Sequence, residues 1–180
     1  MSSTNGSSSP KLRVVVIGAG IGGLAAAAFL RKHPQYSVTV YERRGADFKE
    51  SSAAFGMRVN GISIAKQLGI TKEEIRTVVS AGYRTYNTKE ELMSKSRLDE
   101  PGPDGEGALW LQFRQDFKNA LLRRVTDEEG EGEPIRVLYG SQVTSVDPES
   151  GVVSFADGTT VKADLVIGTY LRHSGLKRGM

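Results

Sequence analysis

The chain of 180 residues contains no cysteine, which removes disulfides, thiolate metal sites and cysteine nucleophiles together and leaves the redox compartment open. Histidine is nearly as scarce. With only His33 and His173, no metal site is expected, and each histidine reads as an ordinary surface or helix-end side chain. An uninterrupted hydrophobic run is missing too: Val14 to Leu30 approaches the length of a membrane span, but its glycines and its switch from strand-like to helix-like pattern make it a buried βα unit. No membrane span is expected. The opening MSSTNGSSSPK lacks the basic region and apolar run of a secretory signal, so an intracellular protein is expected, with residues 1–10 a disordered tail and the fold beginning near Lys11.

An excess of one charge is also lacking. Lys and Arg number 24 against 21 Asp and Glu, a net +3, and the basic side chains are scattered among acids, with Leu171 to Arg178 the only locally basic end. That is no nucleic-acid footprint. What is present, 38% hydrophobic and 25% charged residues, describes a soluble globular chain. Its length suits a single domain, over 11–180, with a real core.

The most informative stretch is VVVIGAGIGGLAAAAFL, Val14 to Leu30. A β-branched strand breaks at glycines and resumes as an Ala-rich helix. Gly18, Gly20 and Gly23 have the spacing G-x-G-x-x-G, in which the first allows a tight turn, the second lets a pyrophosphate approach the backbone, and the third lets helix and strand pack closely. The ligand's charge then meets free N–H groups at the positive end of the helix. A Gly-rich bend in a hydrophobic core is the structural alternative. Ser37 to Glu42 reads as a second strand, giving a right-handed parallel βαβ unit. Glu42 ends it nineteen residues past Gly23, near the offset at which an acid accepts a dinucleotide's ribose hydroxyl. An acid there disfavours the ribose phosphate of NADP and leaves FAD and NAD; the alternative is a solvent-facing carboxylate paired with Arg43 or Arg44.

Further along, Gly45 to Ala54 is a polar loop, Phe55 to Val59 a short extended piece, and Gly61 to Leu68 an amphipathic helix closed by Gly69. Thr71 with Glu74 forms a capping box, and Ile75, Val78 and Val79 follow at helical spacing, so a helix is expected there, ended by Gly82. Tyr83 to Thr88 alternates as a strand. Asp99 to Gly107 is pure turn chemistry. Ala108 to Phe113 is an apolar strand and Gln115 to Val125 a helix, with Arg114 at their junction and Asp127 to Pro134 an acidic linker beyond. Ile135 to Tyr139 reads as a strand extending the parallel sheet. Val143 to Val146, Val152 to Phe155 and Thr160 to Val161 form a small antiparallel meander, and Leu165 to Gly168 returns to the buried type. Trp110 and the tyrosines read as packing residues. The fold class expected is α/β, a Rossmann-like domain with a parallel sheet and that meander.

In this order the motifs resemble the FAD-binding half of the group A flavoprotein monooxygenases, the salicylate hydroxylase-like enzymes. GAGIGGLAAA followed by YERR resembles their ADP-binding unit, GMRVNGISIAKQLGI the segment beside the flavin, FRQDFKNALL an Arg-x-Asp-Leu helix start, and DGTTVKADLVIG the hairpin and strand before a second fingerprint. The similarity runs from Leu12 to Gly168. It implies an FAD-binding portion of an NAD(P)H- and FAD-dependent monooxygenase acting on a small aromatic molecule. By the same resemblance Gly18, Gly20, Gly23 and Glu42 hold the ADP part of FAD, Arg114 sits near the pyrophosphate or ribityl region, and Arg58 approaches the isoalloxazine. Unaided by resemblance, Arg114 pairs with Asp116 or meets solvent, and Arg58 is a snorkelling surface residue. No catalytic side chain is expected, since the flavin does the chemistry and the protein positions and shields it.

Two departures bear on this expectation. In the second fingerprint Tyr170 stands where the family has Asp and Leu171 where it has Gly, while Ser174 and Arg178 agree. The sequence ends at Met180, whereas the family continues with a Gly-Asp segment for the flavin's ribityl phosphate and a sheet covering the substrate. The expectation is therefore the first half of the cofactor site. Rival expectations are a non-catalytic FAD- or NAD-binding module and an inactive truncated fragment.

Overall fold

The computed structural model describes residues 10–48, 53–97 and 109–169; the expected tail before residue 10, the 99–107 loop, and the second-fingerprint residues Tyr170, Leu171, His173, Ser174 and Arg178 lie outside the described residues. In chain order the elements are β1 (Leu12–Ile17), α1 (Ile21–Arg31), β2 (Tyr36–Tyr41), β3 (Ala54–Arg58), α2 (Val59–Gln67), β4 (Val78–Ser80), β5 (Gly82–Tyr86), β6 (Leu92–Arg97), β7 (Leu109–Phe113), α3 (Arg114–Thr126), β8 (Arg136–Leu138), β9 (Val143–Asp147), β10 (Val152–Phe155), β11 (Thr160–Lys162) and β12 (Leu165–Gly168). They form two compact units, one made by residues up to 48 and from 122 onward, the other by residues 49–121.

The first unit carries the α/β fold expected. Its sheet has the order β12-β1-β2-β8, every neighbour parallel. Val14, Val15 and Val16 of the central strand are buried on both faces, as a continuous β-branched run requires in a covered parallel sheet. Helix α1 buries Leu24 together with Gly23, Ala27 and Ala28, the last three small enough to let it lie close to the strands. The antiparallel meander β9-β10-β11 also belongs to this unit. Val153 and Phe155 of β10 pack with Val15, Ile17, Val166 and Tyr41, the Tyr41 and Phe155 ring centroids being 4.7 Å apart. Both meander turns use the chemistry their sequences offer: Asp147 Oδ1 accepts from Glu149 N–H and Asp157 Oδ1 from Thr159 N–H. Strand β12 differs from its expected buried type. It is an edge strand, and its first residue, Leu165, is 46% exposed.

The edge is locked at its base by Asp164. Its carboxylate accepts three bonds from Arg13, from the backbone N–H at 2.7 Å and from Nε and Nη2 at 3.2 and 3.0 Å. These bonds favour the charged form and hold the carboxyl down from the ordinary 3.8 to about 2.

The acidic 127–134 stretch, expected as a linker, is an ordered loop built on Arg31. This arginine is 5% exposed, and its guanidinium donates to the backbone carbonyls of Arg124, Asp127, Gly130 and Gly132. A buried cation is thereby satisfied without a carboxylate. Lys11 and Lys32 reach Glu133 and Glu131 from outside, at 2.6 and 3.5 Å.

The second unit has a three-stranded antiparallel sheet, β3-β7-β4, and a hairpin, β5-β6. Trp110 on β7 is buried, opposite Met57 in register, as its apolar strand predicts. Helix α2 begins at Val59, two residues earlier than expected, and ends near Gly69, whose φ is +68. The helix expected from Thr71 is a correction. The cap forms, with Glu74 N–H donating to Thr71 Oγ1 at 3.2 Å, but one turn later Arg76 takes φ +52 and Thr77 N–H returns to Lys72 O. Val78 and Val79 then extend as β4 against Leu111 and Trp110. A sheet edge captured β-branched residues whose spacing also fitted a helix.

Strand β5 starts at Gly82, one residue earlier than expected, and its partner β6 had no expectation at all. Their turn hangs on Asn87, whose Oδ1 accepts from the N–H groups of Lys89 and Glu91. Tyr83 and Tyr86 are exposed on this hairpin, which corrects their reading as packing residues; a two-stranded ribbon has no second layer to bury them.

Two stability experiments follow. The folded pKa of Asp164 lies below its ordinary value, so its contribution is complete above about pH 4 and lost as pH falls toward 2. Acid unfolding followed by circular dichroism should therefore be less steep over that interval in Asp164→Asn than in the parent. Arg31→Met should cost about 1–3 kcal/mol, measured by urea unfolding, because it strands loop carbonyls in the interior.

Candidate functional site

The site begins where β1 runs out. Gly18 turns the chain at φ +104, and its N–H donates to Tyr41 O at 2.8 Å. Helix α1 starts three residues later with Gly20 as its N-cap, no capping side chain and no acid in the first turn. The N–H groups of that first turn have no partner within the helix, so they are suited to an external anion.

The three glycines of the motif do different work. A Cβ on Gly23 would lie 2.0 Å from Gly18 O and 3.0 Å from Thr169 Oγ1, so helix and strand-end touch backbone to backbone. One on Gly20 would meet no protein atom within 4 Å. The protein's own packing demands glycine at position 23 and does not demand it at position 20, which leaves the N-cap open to a close approach from outside.

Glu42 stands beside this turn. Its Oε2 accepts from Ala19 N–H at 2.8 Å and its Oε1 from Arg44 N–H at 2.9 Å. Of the alternative pairing with Arg43 or Arg44, the backbone N–H of Arg44 reaches the carboxylate, while the Arg44 guanidinium lies 4.1 Å from the Phe48 ring centroid. Glu42 is half-buried, and its fixed oxygens retain lone pairs for a hydroxyl donor.

Thr169 escaped the sequence reading. Placed directly after β12, its Oγ1 donates to Ile17 O at 2.9 Å and lies 3.3 Å from Gly18 O, tying the strand-end to the turn. The available signal was position: a small hydroxyl residue immediately after the strand that pairs with β1.

The remaining residues singled out by resemblance sit in the other unit. Arg58 ends β3 opposite Leu109 and is the N-cap of α2. Arg114 opens α3, its N–H donating to Ala53 O at 2.9 Å. Both are exposed. The length of β7 separates them, roughly 16 Å along the strand, so they are not neighbours. Asp116, the alternative partner for Arg114, is gripped by Arg76 through bonds of 2.8 and 3.0 Å. Among the described residues no group of three His, Asp or Glu could hold a metal ion, and no helix is long and apolar enough to cross a membrane.

Against known proteins, the family described as FAD dependent oxidoreductase matches residues 13–174. Hispidin-3-hydroxylase of Neonothopanus nambi is 30% identical over 169 residues, which are 93% of this chain and 39% of that protein. The 6-hydroxynicotinate 3-monooxygenase of Pseudomonas fluorescens is 31% identical over 161 residues, 87% of this chain and 40% of that protein. The chain thus spans about two fifths of the length of these relatives. Among solved structures, 2-methyl-3-hydroxypyridine-5-carboxylic acid oxygenase in its tetrameric form superposes with a TM-score of 0.69 at 21% identity, covering 88% of this chain and 39% of that one; the likeness establishes the fold.

The two glycines separate in a thermal or urea melt. Gly23→Ala should destabilise the chain by about 1–3 kcal/mol through overpacking. Gly20→Ala should cost less than about 1 kcal/mol, the difference between Gly and Ala at an N-cap.

Proposed function

The chain belongs to the FAD-dependent oxidoreductases, and from that premise we propose that it is the FAD-binding portion of an NAD(P)H-dependent monooxygenase acting on a small aromatic ring, similar to salicylate hydroxylase. One observation carries the assignment of the site: an acid and an uncapped helix N-terminus converge on a turn whose middle glycine faces open space. The names of relatives at 30–31% identity, a hispidin hydroxylase and a hydroxynicotinate monooxygenase, support the reaction class.

In this reading the backbone at Gly18, Gly20 and Gly23 receives the pyrophosphate, aided by the helix dipole. Glu42, already oriented by two N–H groups, accepts from a ribose hydroxyl. Its charge also repels a 2′-phosphate, which favours FAD over a phosphorylated dinucleotide at this position. The resemblance assigns Arg114 to the pyrophosphate or ribityl region and Arg58 to the isoalloxazine. Bound FAD supplies the redox chemistry, passing electrons from NAD(P)H to oxygen. In this reading the chain's own residues hold and orient it.

The test starts with purified protein and FAD. Wild type should take up FAD with a flavin absorption band and a raised melting temperature, and Gly20→Ala should weaken that affinity at least about tenfold while still folding. NADH oxidation with a phenolic acid tests the reaction class separately, and hydroxylated product formed in step with NADH would support it. Consumption of NADH giving only peroxide would sink the monooxygenase assignment for this chain, and NAD uptake without flavin uptake would replace it by a non-catalytic dinucleotide module.

A further inference from the structure

The strand order fixes the direction in which a dinucleotide must lie. Along the sheet the strands run β12, β1, β2, β8, all parallel, so their C-terminal ends form one rim where such sheets bind ligands. The glycine turn follows β1 and Glu42 follows β2. If pyrophosphate occupies the first position and ribose the second, the base extends over the third, the end of β8, about 10 Å or two strand spacings from the turn. The residue there is Tyr139.

Tyr139 is held in register with Glu42. Tyr41 and Leu138 are paired across β2 and β8, so the two residues that follow are neighbours on the same side of the sheet. Three backbone bonds fasten the segments together: Glu42 N–H to Leu138 O at 2.8 Å, Ser141 N–H to Glu42 O at 2.9 Å, and Gly140 N–H to Arg44 O at 3.0 Å. The Tyr139 side chain is half-buried. Burial and the nearby Glu42 carboxylate both push its phenol above the ordinary value of 10.0, so the ring stays neutral beside that charge. Gly140 follows at φ +71 with open space where a Cβ would stand.

We propose that the Tyr139 ring is the platform on which the nucleobase of the bound dinucleotide stacks, making it a selectivity residue outside the glycine and acid fingerprint. The inference rests on the dinucleotide reading of the Gly18–Gly23 turn. Stacking of a base on an aromatic side chain is tolerant of phenol or phenyl but needs the ring.

Calorimetric titration with ADP, FAD and FMN separates the possibilities, since FMN lacks the adenosine half. Tyr139→Leu should bind ADP and FAD about tenfold more weakly with FMN unchanged, and Tyr139→Phe should stay within about twofold of wild type. In wild-type protein, nuclear Overhauser contacts should join adenine H2 or H8 to the Tyr139 ring protons, a measurement that does not depend on how the Leu variant folds. ADP binding unaltered in a folded Tyr139→Leu variant, or a complex without those contacts, overturns the stacking role and leaves the dinucleotide site standing. Failure of wild type to bind both ADP and FAD overturns the site itself and the stacking role with it.

Discussion

At the junction of β1, α1 and β12 the backbone of one glycine rests against the carbonyl of another. No side chain can enter between Gly18 and Gly23, because a Cβ at the latter would lie 2.0 Å from the former's oxygen. Thr169 closes the contact from the third side. That proximity sets the angle at which α1 leaves the strand, and with it the aim of the helix N-terminus. It also places Ala19 N–H within reach of Glu42. The helix N-terminus and the carboxylate of the candidate site are therefore positioned by one steric fact, and the sheet merely extends what it establishes.

Electrostatics then gives the site its selectivity. A helix N-terminus attracts anions, and an acid 2.8 Å from the neighbouring N–H rejects a second anion placed too near. Together they suit a ligand negative at its centre and neutral, hydroxyl-bearing, alongside. The family is that of the FAD-dependent oxidoreductases, and the chain spans about two fifths of the length of the relatives it matches.

Much of this was legible in the sequence because local and long-range requirements agreed. Val14, Val15 and Val16 are β-branched and also buried, Gly18 sits where the turn needs positive φ, and the Asp147 and Asp157 turns use their own side chains. Legibility failed where a tertiary partner decided. Val78 and Val79 fitted a helix by spacing and joined a strand because β7 offered an edge. Leu92–Arg97 carries too many polar residues to signal a strand, and exists by pairing with β5. Thr169 was hidden because its role is a bond to residues 151 and 152 positions earlier. Arg58 and Arg114, carried over by resemblance, occupy opposite ends of β7 and owe nothing to one another.

Among the described residues, Arg31 binds main-chain oxygens. Its four acceptors belong to Arg124, Asp127, Gly130 and Gly132, and a Cβ at either glycine would strike the arginine itself. The loop's shape is accordingly indifferent to the identity of Glu128 and Glu129, whose side chains are exposed. Those positions are free to drift in charge and size, so the fold has one surface whose composition can evolve for solubility or recognition while its backbone stays pinned by a cation inside.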